Sequence, residues 1–309
     1  MTKISFEFFP TQTEAGTEKL LKVRDRLVQE NPEFISVTYG AGGSTRDRTR
    51  SIVQSIQESG TAAAPHLSCV GDSKADLREI LLDYKEMGIK RIVTLRGDLP
   101  SGAGMANSEL RYANELVEFI RQETGDHFTL EVAAYPEMHP QATSFEDDLK
   151  NFERKVKAGA NSAITQYFFN PDSYFHFVDR VQAMGIEIPI IPGIMPITNY
   201  SKLARFSDAC GAEIPRWIRK QLEAYGDDSE SIVKFGEEVV SDLSRANAQQ
   251  SEQLENLALQ KTGTEQRNNI LKAVIGHYAQ EVYFKNGQST VPTYVQERLN
   301  RLTEFLKSQ

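Results

Sequence analysis

The chain has 309 residues and a formal net charge of −8 at pH 7, with 39% hydrophobic and 25% charged residues. This composition is typical of a globular protein with enough apolar material for a large core. The excess of acidic over basic residues disfavours nucleic acid and anionic membranes as partners. Because no apolar run is long enough for a signal peptide or a membrane span, we expect a cytoplasmic protein.

The only two cysteines, Cys69 and Cys210, lack the spacing of metal ligands. Two cysteines are also too few for a disulfide framework. We expect both to be reduced packing residues and predict no metal site.

Seven short runs rich in β-branched and aromatic residues predict buried strands at residues 4–9, 34–39, 64–70, 91–97, 128–136, 162–169 and 188–196. Between them lie stretches with helical periodicity, several of which end in glycine. Strict alternation of strand and helix requires parallel strands joined by right-handed crossovers. The number and spacing of the units predict an α/β fold, a (β/α)8 TIM-type barrel, rather than an open doubly wound sheet.

The glycine pattern also argues against a doubly wound dinucleotide fold. Such a fold places G-x-G-x-x-G directly after its first strand, whereas the first strand here ends at Phe9-Pro10. The glycine-rich loop at 40–45 follows the second strand, and it has neither that spacing nor a P-loop lysine. A mobile or closely packed loop is favoured there, with a phosphate cradle as the alternative.

The C-terminal part of the chain is harder to assign. Three further helical stretches follow the seventh strand, and from residue 247 the sequence is polar and rich in Gln and Asn. No strong eighth strand follows; the best candidates are residues 281–284 and 290–295, the second interrupted by Pro292. We therefore expect a barrel domain at 1–243 and a divergent, mostly helical segment at 244–309 that could complete the barrel.

Polar residues lie in or just after six of the predicted strands. In a barrel, the C-terminal ends of the strands form the active site, so these residues carry more weight than polar residues elsewhere. Their joint position at one rim predicts a functional site. The residues are Glu7, Thr38, His66, Arg96, Gly97, Asp98, Tyr135 and Gln166.

Taken singly, each of these residues has a structural alternative. Glu7, flanked by phenylalanines, is either an ion-paired carboxylate or a general acid. His66 could be a satisfied core histidine, and Gln166 could satisfy buried backbone groups. The helix predicted after the fifth strand carries Asp148, Asn151, Arg154 and Lys155 near one face. That face is either solvated or suited to a ribose and a pyrophosphate.

Eight motifs occur in chain order at residues 5–10, 36–40, 47–49, 64–67, 95–98, 133–140, 164–169 and 191–196. Together they resemble the motifs of bacterial methylenetetrahydrofolate reductases, and the resemblance covers about residues 1–243. It implies a flavoprotein barrel in which NADH or NADPH reduces FAD and leaves. The folate 5,10-methylenetetrahydrofolate then takes its place and is reduced to 5-methyltetrahydrofolate.

The resemblance also implies roles for individual residues. Glu7 matches the acid that protonates and opens the folate ring, and Asp98 matches a residue that tunes the flavin and stabilises a cationic intermediate. Gln166 matches a pterin ligand, and Phe206 an aromatic that shifts between nicotinamide and folate. The implied FAD contacts are Thr38, His66, Arg96, Gly97, Asp98, Tyr112, Ala133, Tyr135, His139, Asp148, Asn151, Arg154, Lys155 and Ile164. We expect a homo-oligomer whose other partners are these small molecules.

The sequence departs from the family's motifs at one place, and this departure leaves two alternatives for the function. The family's eighth strand, reading roughly His-Phe-Tyr-Thr followed by Asn, is not found in this sequence. The chain could therefore be a catalytically impaired flavin- or folate-binding subunit of a larger complex. A second alternative is an FAD barrel oxidoreductase of the proline dehydrogenase type, against which Glu7, Asp98 and Gln166 argue.

Overall fold

The computed structural model describes residues 4–39, 46–97, 109–243 and 245. All seven predicted strands are present, and all pair in parallel in the order in which they occur along the chain. They are β1 (Ser5–Phe8), β2 (Phe34–Val37), β3 (Ala63–Ser68), β4 (Arg91–Leu95), β5 (Thr129–Ala134), β6 (Ser162–Thr165) and β7 (Ile190–Ile191).

Helices follow the strands as predicted, and several begin at capping residues. Ser73 and Asp76 form a capping box, and Ser144, Asn170 and Asn199 each accept a hydrogen bond from a backbone N–H of the first turn. The helices are α1 (Glu14–Leu27), α2 (Arg46–Glu58), α3 (Lys74–Glu86), α4 (Ala113–Thr124), α5 (Phe145–Lys157), α6 (Pro171–Ala183), α7 (Tyr200–Cys210) and α8 (Arg216–Tyr225), and residues 229–243 are also helical.

The strand order identifies the fold class. A doubly wound sheet reverses its strand order at a switch point, whereas here every strand pairs with its neighbours along the chain. This sequential parallel sheet, covered by helices, is that of a (β/α)8 TIM-type barrel, and the predicted fold class is confirmed. The candidate eighth strands, the glycine-rich loop at 40–45 and Asp98 all lie outside the described residues.

Side-chain alternation along the strands separates two layers. Ile35, Leu67 and Leu130 are fully buried in a core shared with the helices. Residues one position away, such as Ser36, His66 and Glu131, are buried on the other side of the sheet. Because successive side chains point to opposite faces, that second set fills the concave interior.

Strand β7 is shorter than the sequence predicts. Only Ile190 and Ile191 form ladder pairs, with Ala163 and Ile164 of β6, although the predicted strand covered residues 188–196. Pro189, Pro192 and Pro196 interrupt that stretch. A proline lacks the N–H that a ladder requires, so the apolar run continues beyond the strand without sheet pairing.

The chain divides into two compact units, Met1–Val240 and Ser241–Gln309. All seven strands belong to the first unit. Within the described ranges, no helix is both long enough and apolar enough to cross a lipid bilayer.

Candidate functional site

A cavity of about 530 Å³ opens at the C-terminal ends of the strands, and residues from all seven strands or the loops that follow them contribute to its wall. Helix α7 closes one side through Phe206 and Cys210. Ten of the predicted site residues lie in this wall. They are Glu7, Thr38, His66, Arg96, Ala133, Tyr135, His139, Ile164, Gln166 and Phe206.

Glu7 and His66 face each other from β1 and β3. The Oε2 atom of Glu7 lies 3.3 Å from Nε2 of His66, and the side chains are 45% and 8% exposed. The contact has the distance of an ion pair but not the geometry of a hydrogen bond, so the buried Nε2 has no hydrogen-bond partner among the described residues. Phe8 packs into the helix-facing core instead. A carboxyl group open to the cavity therefore lies beside a buried imidazole.

The end of β4 places Arg96 and Gly97 at the rim. The Nη1 atom of Arg96 donates to Oε1 of Gln141 at 2.6 Å. Gly97 has φ of +83°, and a Cβ atom there would lie 2.6 Å from Cβ of Ser68. Only glycine fits both this backbone conformation and this close approach of β4 to the end of β3.

The loop after β5 joins the predicted helical cluster to the cavity. The backbone N–H of His139 donates to Oδ2 of Asp148 at 2.8 Å, and the His139 ring packs edge-on against Tyr135. The Nζ atom of Lys155 donates to the carbonyl of Ala133 at 2.5 Å. Burial lowers the pKa of Lys155 to about 8, partly opposed by Asp148. Both ends of this face of α5 are therefore bonded to residues of the cavity wall.

The remaining predicted residues that the structure describes lie outside the lining of the cavity. Arg154 donates from Nη1 to Oδ1 of Asn151 at 2.7 Å on the exposed part of α5. Tyr112 immediately precedes α4, and its ring is 54% exposed. The structure therefore brings the strand-end residues together in the cavity wall. Asp148 and Lys155 lie outside this wall and are hydrogen-bonded to two of its residues, His139 and Ala133.

Three residues that the sequence analysis did not select also belong to this site. Tyr39 lines the cavity and donates from its hydroxyl to Oδ2 of Asp72 at 3.1 Å. Burial, with the Asp72 carboxylate, raises the pKa of Tyr39 well above its usual range, so the hydroxyl remains a donor. Gln141 accepts from Arg96, and Tyr167 lies behind Phe206. Tyr39 and Tyr167 lie within motifs at 36–40 and 164–169, but the contacts that give them a role join residues distant in sequence and have no local signal.

A parallel α/β barrel whose polar groups gather at the C-terminal rim has the arrangement of a barrel enzyme. That is the class which the fold and the site define.

Comparison with known proteins narrows the class. The family model for methylenetetrahydrofolate reductase matches residues 1–273. The chain is 45% identical to 5,10-methylenetetrahydrofolate reductase of Pectobacterium carotovorum subsp. carotovorum over 241 residues, covering 78% of this chain and 79% of that protein. It is 44% identical to the Escherichia coli (strain K12) enzyme of the same name, covering 78% and 80%. The chain belongs to the methylenetetrahydrofolate reductase family and is an oxidoreductase of one-carbon folate metabolism.

A solved structure with the same fold is an uncharacterized protein from Clostridium thermocellum that binds two copies of 5-methyl-5,6,7,8-tetrahydrofolic acid. The structural alignment covers 80% of this chain and 84% of that protein's chain, with a TM-score of 0.56 and 16% sequence identity. At that identity the likeness supports the barrel fold alone. The family match continues to residue 273, past residue 243, where the resemblance in the sequence analysis ends.

Proposed function

We propose that the protein reduces 5,10-methylenetetrahydrofolate to 5-methyltetrahydrofolate with NADH or NADPH, using bound FAD, and that the two substrates occupy the cavity in turn. The observation that carries this proposal is the convergence of Glu7, His66, Gln166 and Phe206 on one cavity in a chain of this family. A cavity of about 530 Å³ is within the usual size range for small-molecule sites.

The donors and acceptors around the cavity fit FAD. The buried Nε2 of His66 has no hydrogen-bond partner in the part of the chain that the structure describes, and buried polar groups of this kind are normally satisfied by a ligand or water. Bound FAD would accept a hydride from the nicotinamide and deliver it to the folate. Thr38, His66 and Tyr135 would hold its ring end, and Asn151, Arg154 and Lys155 would hold its dinucleotide end. Asp98, Gly97, Arg96, Tyr112, Ala133, His139, Asp148 and Ile164 complete the proposed contacts.

Glu7 would act as the acid. The overall reaction adds one hydride and one proton to the folate, and the proton is needed at the amine that leaves when the five-membered ring opens. The Glu7 side chain is 45% exposed and faces the cavity, so a bound folate can reach it. The adjacent His66 ring restricts the carboxyl group to the side of the cavity formed by β1 and β3.

Gln166 and Phe206 would orient the substrates. Gln166 follows β6 and accepts at Oε1 from the backbone N–H of Tyr167 at 3.0 Å, which leaves its amide N–H groups free to donate to a pterin. Phe206 is 39% exposed on α7 and offers a ring face to a planar substrate.

We place this activity in residues 1–243, which contain all seven described strands. Among the described residues, β1 and β7 each have one neighbouring strand. Their outer edges carry backbone groups that require partners, which an eighth strand would supply.

The test is product identification. Purified protein supplemented with FAD is incubated with 5,10-methylenetetrahydrofolate and either NADH or NADPH, and the folates are analysed by mass spectrometry. We expect 5-methyltetrahydrofolate to form in an amount equal to the nicotinamide oxidised. Nicotinamide oxidation without a reduced folate would contradict the proposal and favour another acceptor.

A further inference from the structure

Tyr167 contacts both residues that the proposed function assigns to the substrates. It follows Gln166 directly, and its side chain is 5% exposed. Its ring stacks on Phe206, with ring centroids 5.8 Å apart and planes 16° apart. Its hydroxyl lies 2.7 Å from Oγ of Ser207, the residue after Phe206. One buried tyrosine thus connects the end of β6 to α7.

The backbone contact determines how Gln166 presents its amide. Because the N–H of Tyr167 donates to Oε1 of Gln166, one of the two acceptor positions of that oxygen is used within the protein. The NH₂ group is then the free donor at the cavity. The position of Tyr167 along the chain therefore determines which group Gln166 offers to a ligand.

The ring contact determines the position of Phe206. Phe206 is stacked on Tyr167 on one face, and as a residue of the cavity wall it remains 39% exposed. Offset stacking of this kind restricts the orientation of the outer ring. A planar substrate packed against Phe206 would extend the stack that Tyr167 begins.

The hydroxyl contact fixes α7 at the same point. Ser207 is 1% exposed, so its Oγ depends on Tyr167 as a partner within the protein. The Sγ atom of Cys210, one turn further along α7, lies 3.7 Å from the same hydroxyl. The Tyr167 hydroxyl therefore binds two residues of the helix that carries Phe206.

We propose that Tyr167 is a positioning residue that fixes Gln166 and Phe206 for the planar rings of both substrates, an inference that rests on the proposed function. It does not touch the reacting atoms. Its hydroxyl acts on Phe206 through Ser207, and its backbone acts on Gln166.

The test removes the hydroxyl while keeping the ring. Tyr167→Phe and Ser207→Ala each break the same bond, and we expect each to raise the KM for the nicotinamide substrate and for the folate about fivefold, the loss expected of one such hydrogen bond. The kcat and the FAD content of the purified protein should change little. The double variant should resemble Tyr167→Phe, which already lacks both the bond to Ser207 and the contact with Cys210.

Tyr174→Phe is the matched control. The Tyr174 hydroxyl donates to the carbonyl of Ile190 at 2.8 Å, so this variant also loses a tyrosine hydrogen bond, but one that involves neither Gln166 nor α7. We expect its two KM values to equal those of the wild type. A rise in KM equal to that of Tyr167→Phe would overturn the inference, because it would reflect general destabilisation.

Phe206→Leu separates the inference from the proposed function. If Phe206→Leu raises both KM values and neither Tyr167→Phe nor Ser207→Ala does, the positioning role is wrong and the proposed function stands. If Phe206→Leu changes neither KM, the assignment of Phe206 to the substrates is wrong and the inference fails with it. Should Tyr167→Phe fold poorly, Ser207→Ala reports on the same bond.

Discussion

Glu7 and His66 show how a site is assembled one residue at a time. The alternation of β1 turns the Glu7 carboxyl towards the cavity, and β3 turns the His66 ring towards the same space, so that Oε2 and Nε2 lie 3.3 Å apart. The sequence left each residue with a structural alternative. Their 3.3 Å contact fits the ion-paired alternative for Glu7, whereas the exposure of the carboxyl group to the cavity supports its proposed role as an acid.

Glu7→Gln should separate the two halves of the proposed reaction. An amide cannot supply the proton that ring opening needs, so folate reduction should fall by about a hundredfold or more. Flavin reduction by NADH should remain within about twofold of the wild type, because it needs no acid at this position. Stopped-flow measurement of each half-reaction checks this, and equal damage to both would make Glu7 a structural residue.

Lys155 predicts a pH dependence of stability. Burial lowers its pKa to about 8 in the folded protein from an ordinary 10.5. Between these values the unfolded chain binds more protons, so the stability contributed at this site rises with pH. Relative to the wild type, Lys155→Met should therefore be more stable at pH 7 than at pH 10.5, by up to about 3 kcal/mol.

Urea denaturation of the flavin-free proteins at the two pH values tests this prediction. Lys157→Met is the control, since Lys157 lies on the same helix with a side chain 72% exposed. We expect this control to follow the wild type. A Lys155→Met difference that is the same at both pH values would show that the ammonium group is not desolvated.

The strands and helices were predictable because their signals are local. Apolar β-branched runs located all seven strands, and residues such as Ser144 and Asn170 begin the helices that they cap. The length of β7 was not predictable from apolar character. Pro189 and Pro192 end the ladder on either side of its two residues, although the apolar sequence continues.

The site was predictable only in part. Alternation and the barrel rule brought the strand-end residues together, and helical spacing grouped Asp148 with Lys155. The contacts of Arg96 with Gln141 and of Tyr167 with Ser207 span 45 and 40 residues. Such contacts depend on tertiary packing, for which this single sequence gives no local signal.

Gly193 makes the junction of β6 and β7 sensitive to one methyl group. A Cβ atom there would lie 2.2 Å from the carbonyl oxygen of Thr165, a backbone atom that cannot rotate away. The N–H of Gly193 also donates to Oγ1 of Thr165 at 2.9 Å. Gly193→Ala should cost about 1–3 kcal/mol in the free energy of unfolding. It should also raise the KM for the folate, since Gln166 follows Thr165.

Gly185→Ala is the control for that variant. Its φ is +77° and no atom lies within 4 Å of the added methyl, so only the backbone conformation is strained, at about 1 kcal/mol. Denaturation curves of both variants measure the loss in the free energy of unfolding, and steady-state kinetics measure the KM for the folate. A normal folate KM in Gly193→Ala would mean that the β6–β7 junction does not position Gln166.

At the scale of the whole molecule, the C-terminal and N-terminal ends of the strands have different roles. The cavity occupies the C-terminal end, whereas a charged cluster lies towards the other end. There, Arg91 pairs with the fully buried Glu131 and with Glu33, and Ser162 donates to Glu131. In barrels, residues at the N-terminal end serve stability and those at the C-terminal end serve function.

Glu131→Ala should therefore destabilise the protein without altering its chemistry. Glu131→Ala leaves Arg91 paired only with Glu33 and leaves the buried Ser162 hydroxyl without its acceptor, so the expected loss is about 1–3 kcal/mol. Glu33→Ala removes the more exposed partner of the same arginine and should cost less than about 1 kcal/mol. Activity per folded molecule should stay near that of the wild type in both. Denaturation curves and activity assays of both variants test this. A loss of activity per folded molecule in Glu131→Ala would contradict the assignment of stability to the N-terminal end of the sheet and of function to its C-terminal end.

The most direct test of the central claim follows the flavin itself through both half-reactions. The purified protein is loaded with FAD under anaerobic conditions. It is then titrated with NADH and afterwards with 5,10-methylenetetrahydrofolate, while its absorbance at about 450 nm is recorded. We predict that NADH bleaches the band and that the folate restores it, with formation of one equivalent of 5-methyltetrahydrofolate. A protein that binds no flavin, or whose reduced flavin is not reoxidised by the folate, would contradict the account.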